Sequence, residues 1–331
     1  MGSVEATSPA VEQGKRATVA DYVALARPDH WVKHVFILPG VVLALVLHDK
    51  SFGDVLIPVL VGFASAAAIA SANYVLNEWL DAHSDAHHPI KSERPAVRKK
   101  LNPLVVFAEY VGLVVVGLLL AVAVSKLFFW TSCLFLVSGL VYNVPPIRTK
   151  EKVYLDVLSE AVNNPIRLTL GWAMVDSTTL PPSSLLLAYW MGGAYLMTLK
   201  RFAEYRSAIA TGTLEALERY RRSFRYYNES SLLLAAFLYA LMAAFFLAVF
   251  LIKYRVEYLL SLPLFAALFV SYLRIALKQE SSAQAPERLF HEKTLVGISI
   301  LLVIVLALLT WIDIPLLERL SDPHYIVLPG G

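Results

Sequence analysis

Nine apolar runs of about membrane-crossing length dominate this 331-residue chain and leave it little choice but a bundle of spanning helices. They cover residues 34–47, 56–80, 104–124, 127–142, 155–175, 184–199, 232–252, 258–277 and 294–312, the first, fourth and sixth being the shortest. Apolar side chains make up 57% of the residues and mean hydropathy is +0.60, too apolar for an ordinary soluble domain. The expected fold class is all-α: a polytopic membrane protein with nine transmembrane helices.

Nine crossings put the termini on opposite faces, and the basic residues separate accordingly. One side carries 23 of the 29 lysines and arginines, the other carries five, and Arg167 lies within the fifth run. Excess Lys and Arg marks the cytoplasmic face, so the N-terminus and the connection after the second run are expected there, in a multi-pass cell (inner) membrane protein. Residues 1–23 are polar, lack the apolar core of a signal peptide and read as a disordered cytoplasmic tail. The spanning domain then covers residues 24–313, followed by a short tail at 314–331. The single cysteine, Cys133, excludes an intramolecular disulfide and a cysteine-based zinc site. No nucleic-acid motif is present.

Chemistry concentrates at the end of the second run. Asn77, Asp81 and Asp85 are four apart and fall on one helical face. An amide and two carboxylates stacked at a membrane surface form an oxygen-rich edge suited to Mg2+, which favours carboxylates, water and substrate phosphates. Lys91 and Arg94 follow within ten residues, as a Mg2+-diphosphate site wants: carboxylates for the metal, cations for the remaining phosphate charge. A solvated helix end with ordinary loop charges is the plainer alternative. His83, His87 and His88 also permit a zinc reading, although exposed loop histidines are commoner.

Three further stretches carry polar groups. In Tyr142-Asn-Val-Pro-Pro-Ile-Arg148-Thr-Lys150, tandem prolines bar a helix and aim Arg148 and Lys150 back toward the bilayer, or leave them as positive-inside anchors. In the fifth run, Asp156, Glu160, Asn163 and Arg167 share a helical face; charges at that depth face a bundle interior or cavity. Arg167 reads as an anion-binding group, with a structural Glu160–Arg167 network as the alternative. The segment Lys200-Arg201-Phe-Ala-Glu204 continues a helix beyond the membrane, and residues 214–227 read as a basic amphipathic surface segment whose arginines face lipid.

Taken in order, these pieces resemble the UbiA superfamily of intramembrane prenyltransferases, whose Asn-Asp-x-x-Asp-x-x-x-Asp motif matches Asn77, Glu78, Asp81 and Asp85, with Glu78 in place of Asp. The resemblance implies nine helices around a central cavity and Mg2+ sites at the cytoplasmic ends of helices 2 and 6. Within the superfamily the closest likeness is to the branch that transfers phosphoribosyl groups to decaprenyl phosphate. Arg27-Pro-Asp-His-Trp-Val-Lys33-His-Val, His88-Pro-Ile-Lys91-Ser-Glu-Arg94-Pro and Lys200-Arg201-Phe-Ala-Glu204 carry it, and Arg167 falls where that branch has an arginine in helix 5. The Tyr142–Lys150 stretch looks more like the loop of lipid- and quinone-type prenyltransferases.

The resemblance therefore implies a Mg2+-dependent enzyme of the cell envelope, acting on phosphoribosyl diphosphate and a polyprenyl phosphate. Asn77, Asp81 and Asp85 would hold the metal. Lys33, Lys91, Arg94, Tyr142, Arg148, Lys150, Arg167, Lys200, Arg201 and Glu204 would contact substrate. The alternatives are prenyl transfer from a prenyl diphosphate to an aromatic or glycerol-type acceptor and, from another class, a secondary transporter. Association of several copies stays open.

Overall fold

A computed structural model describes residues 16–86, 91–278, 281–284 and 286–321, so His87, His88 and most of the tail expected at 1–23 lie outside the described residues. Among the described residues the regular structure is helical throughout. The chain divides into two compact units: residues 1–181 with 213–226, and residues 182–212 with 227–331.

The first unit begins with α1 (Val19–Leu25), which overlaps the end of the stretch read as tail. Leu25 is fully buried beside Val75 and Val106, and that burial orders the chain ahead of residue 24. A 3-10 segment, Pro28–Ile37, leads into α2 (Leu38–Leu47). Next comes α3 (Phe52–Asp85), capped by Ser51, whose hydroxyl accepts from the Gly53 amide. At 34 residues α3 is about 51 Å long, well beyond the ~30 Å of a hydrocarbon core, so its polar end is helix and not loop. Its middle is lined by small residues, and Ser65 Oγ donates to the Gly117 carbonyl at 2.7 Å. Such residues let backbones approach closely within a membrane.

The short α4 (Pro95–Arg98) precedes α5 (Pro103–Val124) and α6 (Lys126–Asn143). The fifth predicted run is not one helix. It forms α7 (Leu155–Ala161) and α8 (Asn163–Val175), separated at Val162. The reason is Pro165, which has no N–H to give the Ala161 carbonyl and is tolerated only in the first turn of the new helix. The polar face survives the break. As α6 runs back from Tyr142 through Ser138 to Phe135, its partners run forward through Glu160, Asn163 and Arg167. This unit closes with α10 (Leu214–Tyr220).

The second unit contains α9 (Ser183–Ala210) packed along α11 (Glu229–Tyr254), then α12 (Leu262–Ala276), α13 (Lys293–Trp311) and α14 (Pro315–Ser321). Tyr195 donates to the Phe269 carbonyl and ties α9 to α12.

Seven helical runs in the described residues are long and apolar enough to cross a membrane: Val19–Leu47, α3, α5, α6, α11, Val256–Ala276 and α13. Two of the nine expected spans do not qualify. The 155–175 run is broken and carries charge, and Ser, Gly, Tyr and Trp dilute the apolar half of α9. Large apolar side chains such as Leu104, Phe237 and Val303 stand open on the helix surfaces, as lipid contact requires. The protein is an integral, multi-pass, all-α membrane protein.

The tightest helix contact is between α2 and α8. A Cβ on Gly171 would lie 2.1 Å from the Ile37 carbonyl oxygen, and one on Gly40 2.0 Å from that of Leu168. Both neighbours are backbone and cannot swing aside. Gly171→Ala should therefore cost about 1–3 kcal/mol and lower the thermal midpoint in detergent. Gly112→Ala, in the middle of α5 where nothing lies within 4 Å of the added carbon, should leave that midpoint unchanged or raise it slightly.

Candidate active site

The last two turns of α3 carry Asn77, Asp81 and Asp85 on one face, and each meets a partner from a different segment. Asn77 donates its amide to Asp81 Oδ2 at 3.2 Å and to Asn143 Oδ1 at the end of α6. Asp81 Oδ1 receives Arg148 Nη2 at 3.0 Å and the Lys150 ammonium. Asp85, 1% exposed, receives Arg94 Nη1 at 2.7 Å on Oδ2. The same guanidinium lies 4.0 Å from Glu78 Oε2. Asp85 Oδ1 and Glu78 Oε1 are buried and have no hydrogen-bond partner among the described residues. Anionic oxygens in that condition can accept a cation.

The connection after α6 supplies the cations on Asp81. Val144-Pro145-Pro146 ends the helix, and Arg148 then adopts a left-handed backbone (φ 31°) ahead of a 3-10 turn, Thr149–Glu151. Arg148 also donates to Glu151 at 2.5 Å and to the Asn143 carbonyl at 3.2 Å. Lys150, 4% exposed, reaches Asn143 Oδ1 at 2.9 Å as well. Burial pushes its ammonium down to about 8, against the pull of Asp81. The two cations therefore face inward, onto Asp81.

Sequence reasoning missed two members of this network. Asn143 bridges Asn77 and Lys150, and an isolated asparagine at a helix end gave no signal. Arg221 belongs to the cluster read as lipid-facing, yet it turns inward. Its Nη1 donates to the Tyr142 hydroxyl at 3.1 Å and lies 3.8 Å from the fully buried Asp156. Burial disfavours the Arg221 charge, but Tyr142, Tyr220, Asp156 and Glu160 outweigh it and raise the pKa above the ordinary value. Tyr142 in turn donates to Glu160 at 2.8 Å, and Ser223 to Asp156 at 3.0 Å. Lys91 contacts the Tyr220 hydroxyl and lies 4.5 Å above its ring. A cavity of about 440 Å3 opens here between the end of α3, the 148–151 turn and the segment around α10.

A second basic group lies along the Pro28–Ile37 segment. Lys33 Nζ is 3.1 Å from His30 Nδ1, whose Nε2 is 2.8 Å from Arg27, and Lys33 stands 5.8 Å from the Tyr74 ring centroid. Arg167 lies over Phe135 at 5.3 Å, with Nε unpartnered among the described residues. In the second unit, Lys200 is partly buried on α9, while Arg201, 2% exposed, donates to Glu204 at 2.8 Å.

Among the described residues no three His, Cys, Asp or Glu side chains gather into a closed metal cage. The donor set of Asn77, Asp81 and Asp85 matches instead an ion that completes its shell with water and substrate phosphate oxygens. Each carboxylate is meanwhile charge-balanced by arginine or lysine, and those cations are of the type that transfers readily to phosphate.

A family model for the UbiA prenyltransferase family matches residues 36–294. The chain is 26% identical over 220 residues to decaprenyl-phosphate phosphoribosyltransferase of Mycolicibacterium smegmatis, covering 65% of this chain and 64% of that one. It is 26% identical over 215 residues to nodulation protein NoeC of Azorhizobium caulinodans, covering 64% and 66%. The chain thus spans slightly less than two thirds of the length of these two relatives. Among solved structures, a UbiA homologue from Archaeoglobus fulgidus bound to GPP and Mg2+ aligns with a TM-score of 0.65 at 19% identity, over 87% of this chain and 97% of that one. That likeness speaks for the fold. Since the family model covers most of the sequence, from the second half of the first span to the start of the last, this chain belongs to the UbiA prenyltransferase family.

Proposed function

We propose that this protein transfers the 5-phosphoribosyl group of phosphoribosyl diphosphate to a polyprenyl phosphate, at the cytoplasmic face of a nine-span bundle in the cell membrane. The observation that carries the reading is the concentration of cations around the end of α3. Arg94, Arg148 and Lys150 bond Asp81 and Asp85 directly, Lys91 and Arg221 stand close by, and Lys33 and Arg167 lie further along the first unit. One prenyl diphosphate with a neutral acceptor needs fewer. A phosphoribosyl diphosphate with a lipid phosphate brings about two further phosphate groups, each in want of positive partners. The names of relatives in two mycobacterial species point the same way.

In this reading Asn77, Asp81 and Asp85 hold Mg2+ on the diphosphate, as the A. fulgidus homologue binds GPP with Mg2+. When bound, the ion neutralises the leaving group and so lowers the barrier to its departure. Arg94, Arg148 and Lys150 move from carboxylate to phosphate oxygens, and Lys91 adds to them. In the second unit, Arg201 and Glu204 hold one another in place. A lipid phosphate oxygen bonds to the ribose C1 as the C1–oxygen bond to diphosphate breaks. No general base is needed, because a phosphate monoester is already anionic at neutral pH. Lys33 and Arg167 receive the acceptor phosphate. The second reading, prenyl transfer from a prenyl diphosphate, draws on the Tyr142–Lys150 loop and on the GPP- and DMAPP-bound homologue structures.

Asp81→Asn and Asp85→Asn should each cut turnover by about 100-fold or more at saturating Mg2+ while the purified protein stays monodisperse. Near-parental activity in either would remove the motif from the mechanism. Lys91→Met should raise the donor KM by about one to two orders of magnitude, since a charge-assisted phosphate contact contributes about 1.5–3 kcal/mol. Label passing from a prenyl diphosphate, with no ribose label entering lipid, would establish the second reading instead. For orientation, reporters fused after Lys99 should read cytoplasmic, and those fused after the last span external.

A further inference from the structure

The cavity beside the metal motif has a wall of its own, and its chemistry differs from that of the carboxylate face. Leu80, His83 and Ser84 line it from α3, Leu80 turned about 100° from Asp81 and Ser84 about 100° from Asp85. Across from them stand Arg148, Arg219, Arg222 and Arg225. Glu151 is the one carboxylate in the lining, and it is shared between Arg148 at 2.5 Å and Arg222 at 3.7 Å. Arg219 reaches Glu215 at 2.5 Å, while no partner for Arg225 is found among the described residues. Four guanidinium groups border about 440 Å3 with one carboxylate in the lining, which leaves the opening rich in positive charge.

We infer that this cavity is a subsite for the phosphate monoester of a sugar phosphate: in the phosphoribosyl reading, on which this rests, the 5-phosphate of the donor. Arg148 links the two faces, because it bonds Asp81 and also lines the cavity. A donor with its diphosphate at Asp81 and Asp85 would lay its ribose past Arg148 and its 5-phosphate against Arg222 and Arg225. A phosphate dianion takes paired guanidinium contacts readily. Leu80 is the one aliphatic side chain in the lining, which offers an isoprenoid chain little to pack against. A prenyl diphosphate has no third phosphate to place here, so the subsite would also select between donor classes.

The test uses radiolabelled ribose 5-phosphate and the full chain in nanodiscs of neutral phosphatidylcholine. Saturable binding is expected, competed by phosphoribosyl diphosphate, kept in Asp85→Asn and weakened about ten-fold or more in the Arg222→Gln/Arg225→Gln pair. Absence of saturable binding, or equal binding in that pair, overturns the subsite. Displacement of the ligand on adding anionic phosphatidylglycerol to the discs also overturns it, assigning the arginines to lipid headgroups. If ribose 5-phosphate binds as expected but no ribose label passes from phosphoribosyl diphosphate to lipid, the sugar-phosphate subsite stands and the proposed transfer reaction falls.

Discussion

The pairing of Asp81 with Arg148 and Lys150 holds the candidate site together. It joins the end of α3 to the connection after α6, segments 67 and 69 residues apart in sequence. Buried as these groups are, each would be costly alone: an isolated carboxylate or ammonium taken out of water loses several kcal/mol of hydration. Their mutual contact offsets that cost, and Asn77 and Asn143 bond what remains. The resulting network sets two cations against one carboxylate and is built from full charges. A metal ion and phosphate groups can therefore enter by exchanging partners, carboxylate for carboxylate and cation for anion, without exposing bare charge at any point.

The same logic governs α7 and α8. A helix carrying Asp156, Glu160 and Arg167 is a poor membrane span by composition, and it is also the one that breaks. Its polar groups persist because α6 offers Tyr142, Ser138 and an aromatic ring in matching order, while Arg221 and Ser223 cover Asp156. Charged groups near a bilayer are retained only where another part of the chain answers them.

Which parts of this were legible in the sequence follows from how local each signal is. The register of Asn77, Asp81 and Asp85 depends on helical periodicity alone, and α3 continues through all three. The break at Val162 was equally local, since Pro165 marks it, but the continuous apolar pattern on either side outweighed one residue. Arg221 was beyond reach. In sequence it sits among Arg219, Arg222 and Arg225, and nothing within that run distinguishes the arginine that turns inward from those that line an open cavity. Only the fold reveals that Tyr142 and Asp156 await it. Lys150 was balanced between anchor and ligand for the same reason: burial is a property of what surrounds a residue, not of its neighbours in the chain.

The unbroken length of α3 has a consequence for how this site can change over time. Its small-residue middle is fixed by packing against α5, α6 and α8, and the motif hangs from that fixed segment on a single rigid rod. A helix conserves phase. One residue inserted or deleted between Ala72 and Asn77 would swing all three motif side chains by about 100° and shift them by about 1.5 Å. After an insertion Arg148, Lys150 and Arg94 would face Leu80 and Ser84, and after a deletion Ala82 and Ala86. Substitutions in this stretch can be absorbed one side chain at a time, but a change of length cannot, so descent of this site must run through point replacements at constant spacing.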